Sequence, residues 1–204
     1  MRTADPGESG RIGAMVARAF AGDPIERWCL ACDQTDQVQE LEFTEVARYL
    51  SPRGWLWVID DLSGAAAWFP PGGTYGDAID PVVNPVLTSF GGRPDRLVEF
   101  WGWVDERRPA GAHWYADLIA VDPRYQGSGR GRVLLEHGLR RIDRLGQQAF
   151  LITGNGGTVP WYERHGFAVA SEDAAPGGDP TVWFLIRPPR PGPPPAGPGD
   201  VQVT

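Results

Sequence analysis

Apolar positions recur at helical spacing twice near the start of the chain. Residues 10–21 place Ile12, Met15, Val16 and Phe20 on one stripe, and Gly22-Asp23-Pro24 ends it. Residues 36–50 repeat the pattern with Val38, Leu41, Phe43, Val46 and Leu50. The period then shortens to that of strands. Trp55-Leu56-Trp57-Val58-Ile59 and Ala65-Ala66-Ala67-Trp68-Phe69 flank Asp60-Asp61-Leu62-Ser63-Gly64, which reads as a hairpin closed off by Pro70-Pro71-Gly72-Gly73. Between 74 and 112 the pattern weakens, with helices expected over Val86 to Phe90 and Leu97 to Val104. A strand over 113–121 follows, then a glycine-rich loop at 126–131, an amphipathic helix to about 145 and a strand at 148–152. A short helix near 158–165 and strands at 167–170 and 181–187 complete the ordered part. Proline and glycine dominate 188–204, so that stretch reads as a disordered tail to a domain spanning 1–187.

Composition narrows the function classes. The chain has 204 residues, and its net charge of −7 argues against nucleic acid as a partner, since phosphate binding needs clustered positive charge. No apolar run is long enough to span a bilayer, and Met1 to Pro6 lacks the features of a secretory signal. Neither a membrane partner nor export is expected, and the protein is placed in the cytoplasm. All 19 basic residues are arginine, so a P-loop, which needs its lysine, is excluded. Cys29 and Cys32 form a C-x-x-C, but His113, His137 and His165 are not at ligand spacing from the pair; two reduced thiols in a partly buried helix are expected, and no metal.

The chemistry concentrates after the 113–121 strand. Gln126-Gly127-Ser128-Gly129-Arg130-Gly131 leads into a helix with Leu135, Leu139, Ile142 and Leu145 on one stripe. Glycines bring backbone N–H groups close to a ligand, and a helix start adds its positive dipole end, a combination suited to a pyrophosphate. Arg130 and Arg132 could add charge. The dinucleotide fingerprint G-x-G-x-x-G fails at Arg132, whereas Q-x-x-G-x-G is filled by Gln126, Gly129 and Gly131.

That loop, together with Trp161-Tyr162-Glu163-Arg164-His165-Gly166-Phe167, resembles the GCN5-related N-acetyltransferase (GNAT) superfamily, whose signatures include Tyr-x-x-x-Gly-Phe. The resemblance covers most of residues 10–187. Within the superfamily it is nearest to puromycin N-acetyltransferase-like proteins, through His113 to Gly131, Val159 to Phe167 and the hairpin ending in Trp68. It implies an α/β fold with a mixed central sheet, splayed at the acyl-CoA site and flanked by helices. It also implies acetyl-CoA as acyl donor, contacted by Ile119, Ala120, Val121, Gln126 to Arg132 (with Gly127, Ser128, Gly129, Arg130 and Gly131) and Asn155. The acceptor would be a small-molecule amine, attacking the thioester directly in a ternary complex. A homodimer is left open.

Tyr162 is expected as general acid toward the thiolate, a role the resemblance supplies. Asp117 is the candidate base. Alternation puts His113, Tyr115, Asp117, Ile119 and Val121 on one strand face, where an unpaired carboxylate needs a partner or a task. Tyr115 and Asp117 fall where arylalkylamine acetyltransferases carry a pair of base histidines; an Asp that only braces a loop is the competing reading, and His113 is a weaker base. Ile152 stands where puromycin-type relatives carry a Glu. Trp28, Trp101 and Trp103 are expected to line the acceptor pocket. The rival functions are a protein or peptide N-acetyltransferase with an open groove, an acyl-CoA-binding sensor, and an interaction protein acting through its tail.

Overall fold

The computed structural model describes residues 1–76 and 78–190; most of the expected tail, 191–204, lies outside the described residues. Seven strands form one sheet in the order β1-β2-β3-β4-β5-β7-β6. They are β1 (Arg2–Thr3), β2 (Leu56–Val58), β3 (Gly64–Phe69), β4 (His113–Val121), β5 (Gln148–Thr153), β6 (Ala168–Ala174) and β7 (Thr181–Arg187). β4 and β5 pair in parallel, and the other neighbours are antiparallel. No helix among the described residues is long and apolar enough to cross a membrane.

Helices cover both sheet faces. On one lie α1 (Ser9–Phe20), α2 (Pro24–Cys29), α3 (Thr35–Leu50), α4 (Asp80–Ser89) and α5 (Pro94–Asp105). Their stripes, including Ile12, Met15, Val46, Leu87 and Phe100, pack on Ala65, Ala67, Tyr115, Leu118 and Phe150. On the other face, Leu134, Leu135, Leu139 and Ile142 of α6 (Arg130–Arg144) cover Trp68, Trp114, Ala116 and Ala149. β3 is buried on both faces, which is why it reads as a continuous apolar run. The short α7 (Val159–Glu163) closes the α6 side.

One expected break proved to be a beginning. Asp23 ends α1 but accepts hydrogen bonds from the N–H groups of Ile25 and Glu26, and Pro24 opens α2 at its first position. Both are helix-start chemistry, and six residues are too few to show a period. Cys29 ends α2 and Cys32 lies beyond it, so the thiols do not share a helix; both are free.

A buried ion pair locks β7 to α6. Arg187, only 2 % exposed, makes two bonds to Asp143 at 2.6 and 2.9 Å and a third to the His165 carbonyl. Removing one partner strands the other charge, so Asp143→Ala is expected to cost about 3 kcal/mol, read as the shift in urea-unfolding free energy.

Candidate active site

β4 and β5 pair only from His113↔Gln148 to Tyr115↔Phe150, then part company. β4 runs on to Val121 and β5 to Thr153 with a gap between them, the expected splay. Asp122 N–H donates to the Ser63 carbonyl, on the β3 side. Alternation along an antiparallel strand therefore turns Ala120 toward β3 and leaves the N–H of Ile119 and Val121 facing the gap. The Gln126 side chain donates to the Val121 carbonyl at 3.2 Å on that same open side.

A bulge corrects the expected side-chain alternation. Ala67 pairs with Leu118 and Trp68 with Ala116, so Asp117 is the extra residue in β4. Tyr115, Leu118 and Ala120 consequently face the α1–α5 layer, while Ala116, Ile119 and Val121 face α6. Ile119 and Val121 do not share a face with Tyr115.

Two cavities meet at this strand. One, of about 520 Å³, follows the gap and is lined by Ile119, Ala120, Val121, Gln126, Ile152, Asn155 and Tyr162. The other, of about 430 Å³, lies beneath α3, α4 and α5. Tyr115, Asp117, Leu118, Glu26, Phe20 and Trp101 belong to both.

The glycine loop stands at one end of the gap. Gly127 and Gly129 take φ of 75° and 85°, where a side chain would be strained. Among the described residues, the N–H groups of Gly127, Gly129 and Gly131 have no hydrogen-bond partner. Those free donors at the start of a fifteen-residue helix suit an anionic diphosphate. The arginines are less available than expected. Arg130 bonds Ser63 at 2.8 Å and pairs with Asp61 at 3.4 Å, and Arg132 bonds Glu136 at 2.7 Å. Their guanidiniums brace the loop and helix. Asp122, unremarked in the sequence, anchors the loop through Arg124 and Arg18, which hold its carboxyl well below the usual range.

Asp117 accepts a hydrogen bond from the Tyr75 hydroxyl. Burial pushes its carboxyl up to about 6, against the opposing pull of Tyr75 and Arg108. The Arg108 guanidinium sits 4.5 Å over the Tyr115 ring, and burial beside Asp117 raises the Tyr115 phenol well above its ordinary value. Tyr162 packs edge-on against Trp161 and Phe167, and burial pushes its phenol to about 12. Asn155 caps the turn before α7 through the Gly157 N–H, and His113 is tied to the Gly111 carbonyl at the strand entry.

Of the three tryptophans, Trp101 lines both of these cavities and Trp28 and Trp103 line neither. Trp28 packs at a tilt against Phe100 under Arg96, and Trp103 packs edge-on against Phe184 under Arg107. Residues two apart on a helix point to different sides, so Trp101 and Trp103 could not both face the cavity. Sequence reasoning passed over Glu26, Glu42, Tyr75 and Arg108, all on the cavity wall. Glu42 gave a signal: it lies four residues from both Val38 and Val46, within the apolar stripe of α3.

The splayed sheet, the glycine loop and α6 have the arrangement of the GNAT fold, and an acetyltransferase (GNAT) domain profile matches residues 92–169. A mycothiol acetyltransferase of Mycobacteroides abscessus is 31% identical over 144 residues, covering 65% of this chain and 48% of the relative. One of Nocardia farcinica is 29% identical over 169 residues, covering 79% and 48%. This chain thus spans about half the length of the curated relatives it matches. The structure of a Corynebacterium glutamicum protein described as histone acetyltransferase HPA2 and related acetyltransferase superposes with a TM-score of 0.63 at 20% identity, over 93% of this chain and 97% of that one. These relatives are named for mycothiol and histone, not for puromycin, so the expected nearer likeness to puromycin-type proteins gives way to the broader one.

Proposed function

We propose that this protein transfers an acetyl group from acetyl-CoA to a primary amine of a small molecule. The observation that carries the reading is the meeting of two cavities at the bulged Asp117, where β4 parts from β5. The gap takes the donor, with its diphosphate on the N–H groups of Gly127, Gly129 and Gly131 and its acyl arm along Ile119 to Val121 and past Asn155. Ser128, Arg130 and Arg132 support the loop around it. The cavity under α3–α5 takes the amine.

Attack needs a free amine, which is protonated near neutral pH. The ionised Asp117, held by Tyr75, takes that proton; the nitrogen lone pair then forms the N–C bond as the C–S bond breaks, and the second proton that the nitrogen sheds on becoming an amide goes to the departing sulfur, which leaves as a thiol. The Ile119 N–H, directed into the gap, donates to the carbonyl oxygen as negative charge builds there, an oxyanion role. Tyr162 donates to the departing sulfur. Tyr115 walls the junction and, kept neutral by burial, adds no competing charge. Ile152, on the β5 side of the gap, is apolar and offers no base, which leaves proton removal to Asp117.

A walled cavity lined by carboxyl groups supports a small cationic acceptor over a polypeptide chain. The test is CoA release from acetyl-CoA, followed by thiol titration across amines that include puromycin, arylalkylamines, diamines, short peptides and the acceptor of mycothiol acetyltransferases. Release with one amine class is expected. Tight acetyl-CoA binding with no release on any acceptor would overturn the reading.

A further inference from the structure

Five carboxyl groups line the acceptor cavity, Glu26, Glu42, Asp80, Asp105 and Asp117, against one guanidinium, Arg108. Three are accounted for within the protein. Asp105 accepts from Arg108 at 2.6 Å, Asp117 accepts from Tyr75, and Asp80 is exposed to solvent at the rim. Glu26 of α2 and Glu42 of α3 are different. Burial raises both carboxyls and they face each other; Glu26 also has a hydrogen bond from Gln39, and among the described residues no cation pairs with either. Glu42 Oε2 is buried, and among the described residues no donor outside the pair reaches it. Adjacent buried carboxyls cannot both ionise unless a cation joins them; without one, the pair retains a proton.

We propose that Glu26 and Glu42 form a subsite for a second cationic group of the acceptor, so that the substrate is an alkyl diamine with one nitrogen at Asp117 and the other between the two glutamates. The inference rests on the acetyl-transfer reading for its first nitrogen. The same cavity has apolar walls, with Phe43, Val46, Val83 and Leu97, which suits a methylene chain. An ammonium offers three donors, enough to take the place of the one proton shared by the two carboxyls and to bond both. A monoamine of equal length would leave them as they are.

Binding should also expel the proton that the glutamates share. The other titratable or charged groups facing them are Asp23 of the α2 cap, Cys29 of α2, which burial keeps as the thiol, Tyr75, Asp80 of α4, Asp105 of α5, Arg108, and Tyr115 and Asp117 of β4. Asp117 is ionised above about 6, so a measurement at pH 7.5 isolates the glutamate pair from it.

The experiment is calorimetric titration of the full chain with α,ω-diamines of three to six carbons and with monoamines of the same lengths. It is run at pH 7.5 in buffers of differing ionisation heat, alongside CoA-release rates. The best diamine should bind about tenfold or more tightly than its monoamine, the scale of a charge-assisted hydrogen bond, and should release a proton. Glu42→Gln should erase both the preference and the proton release while monoamine affinity stays level. Glu26→Gln should do the same, and it carries the test if the first variant folds poorly. Equal binding of diamines and monoamines, or a preference that survives both substitutions, overturns the subsite. Acetylation of monoamines at the same kcat/KM as diamines also overturns it while leaving acetyl transfer intact. Diamine binding with proton release but no acetylation of any amine sustains the subsite and sinks the acetyl-transfer reading.

Discussion

Asp117→Asn is expected to lower kcat/KM for the amine by about 10²–10³-fold, within the usual worth of a positioned general base. Acetyl-CoA affinity should hold, because the glycine loop and the N–H groups of β4 are untouched. The pH profile distinguishes a base from a brace. Burial raises the Asp117 carboxyl to about 6, and only its ionised form accepts a proton. Wild-type kcat/KM should therefore rise with pH through about 6, and the Asn variant should lose that limb. Tyr75→Phe removes a hydrogen bond that favours the carboxylate, so it should move the limb to higher pH. Asn retains the shape and still accepts from Tyr75, so a purely structural Asp117 would leave both rate and profile nearly unchanged. That outcome would assign the proton to another group.

Tyr162→Phe is expected to reduce kcat by about 10²-fold with little change in KM for acetyl-CoA, since the ring and its packing on Trp161 and Phe167 remain. Burial pushes the phenol to about 12, above a thiol's ordinary value of about 8.5. The hydroxyl thus stays protonated throughout the working range, and its contribution is a hydrogen bond to the sulfur as charge builds. No alkaline limb from Tyr162 should appear below about pH 12. A loss confined to KM would make the side chain a wall of the donor groove and nothing more.

Both residues come from segments whose meaning lies within a short stretch of chain. β4, the glycine loop and α6 are consecutive; their strand period, positive-φ glycines and amphipathic stripe are local properties, and they were legible. The same holds for α1 and α3, whose apolar stripes are long enough to show a period. α2 was missed because its evidence is a single cap and a proline, read as punctuation.

The side-chain directions around Asp117 were not legible. Alternation is a property of a regular strand, but the bulge exists only because β3 pairs with β4 out of step between Ala67 and Trp68. Likewise, the chain alone could not say that Arg130 and Arg132 had partners already, or that Trp101 lines these two cavities while Trp28 and Trp103 line neither. Those facts depend on which helix packs where.

The sequence by itself determined the domain type, the order of its main elements and the position of the donor loop, because each is encoded by spacing within one element or across one turn. Only the tertiary structure decided the acceptor side. Glu26 and Glu42 sit on separate helices, and each alone reads as an ordinary polar position. They become a coupled pair when α2 and α3 close over the same cavity, since burial and proximity are set by packing and not by any local pattern.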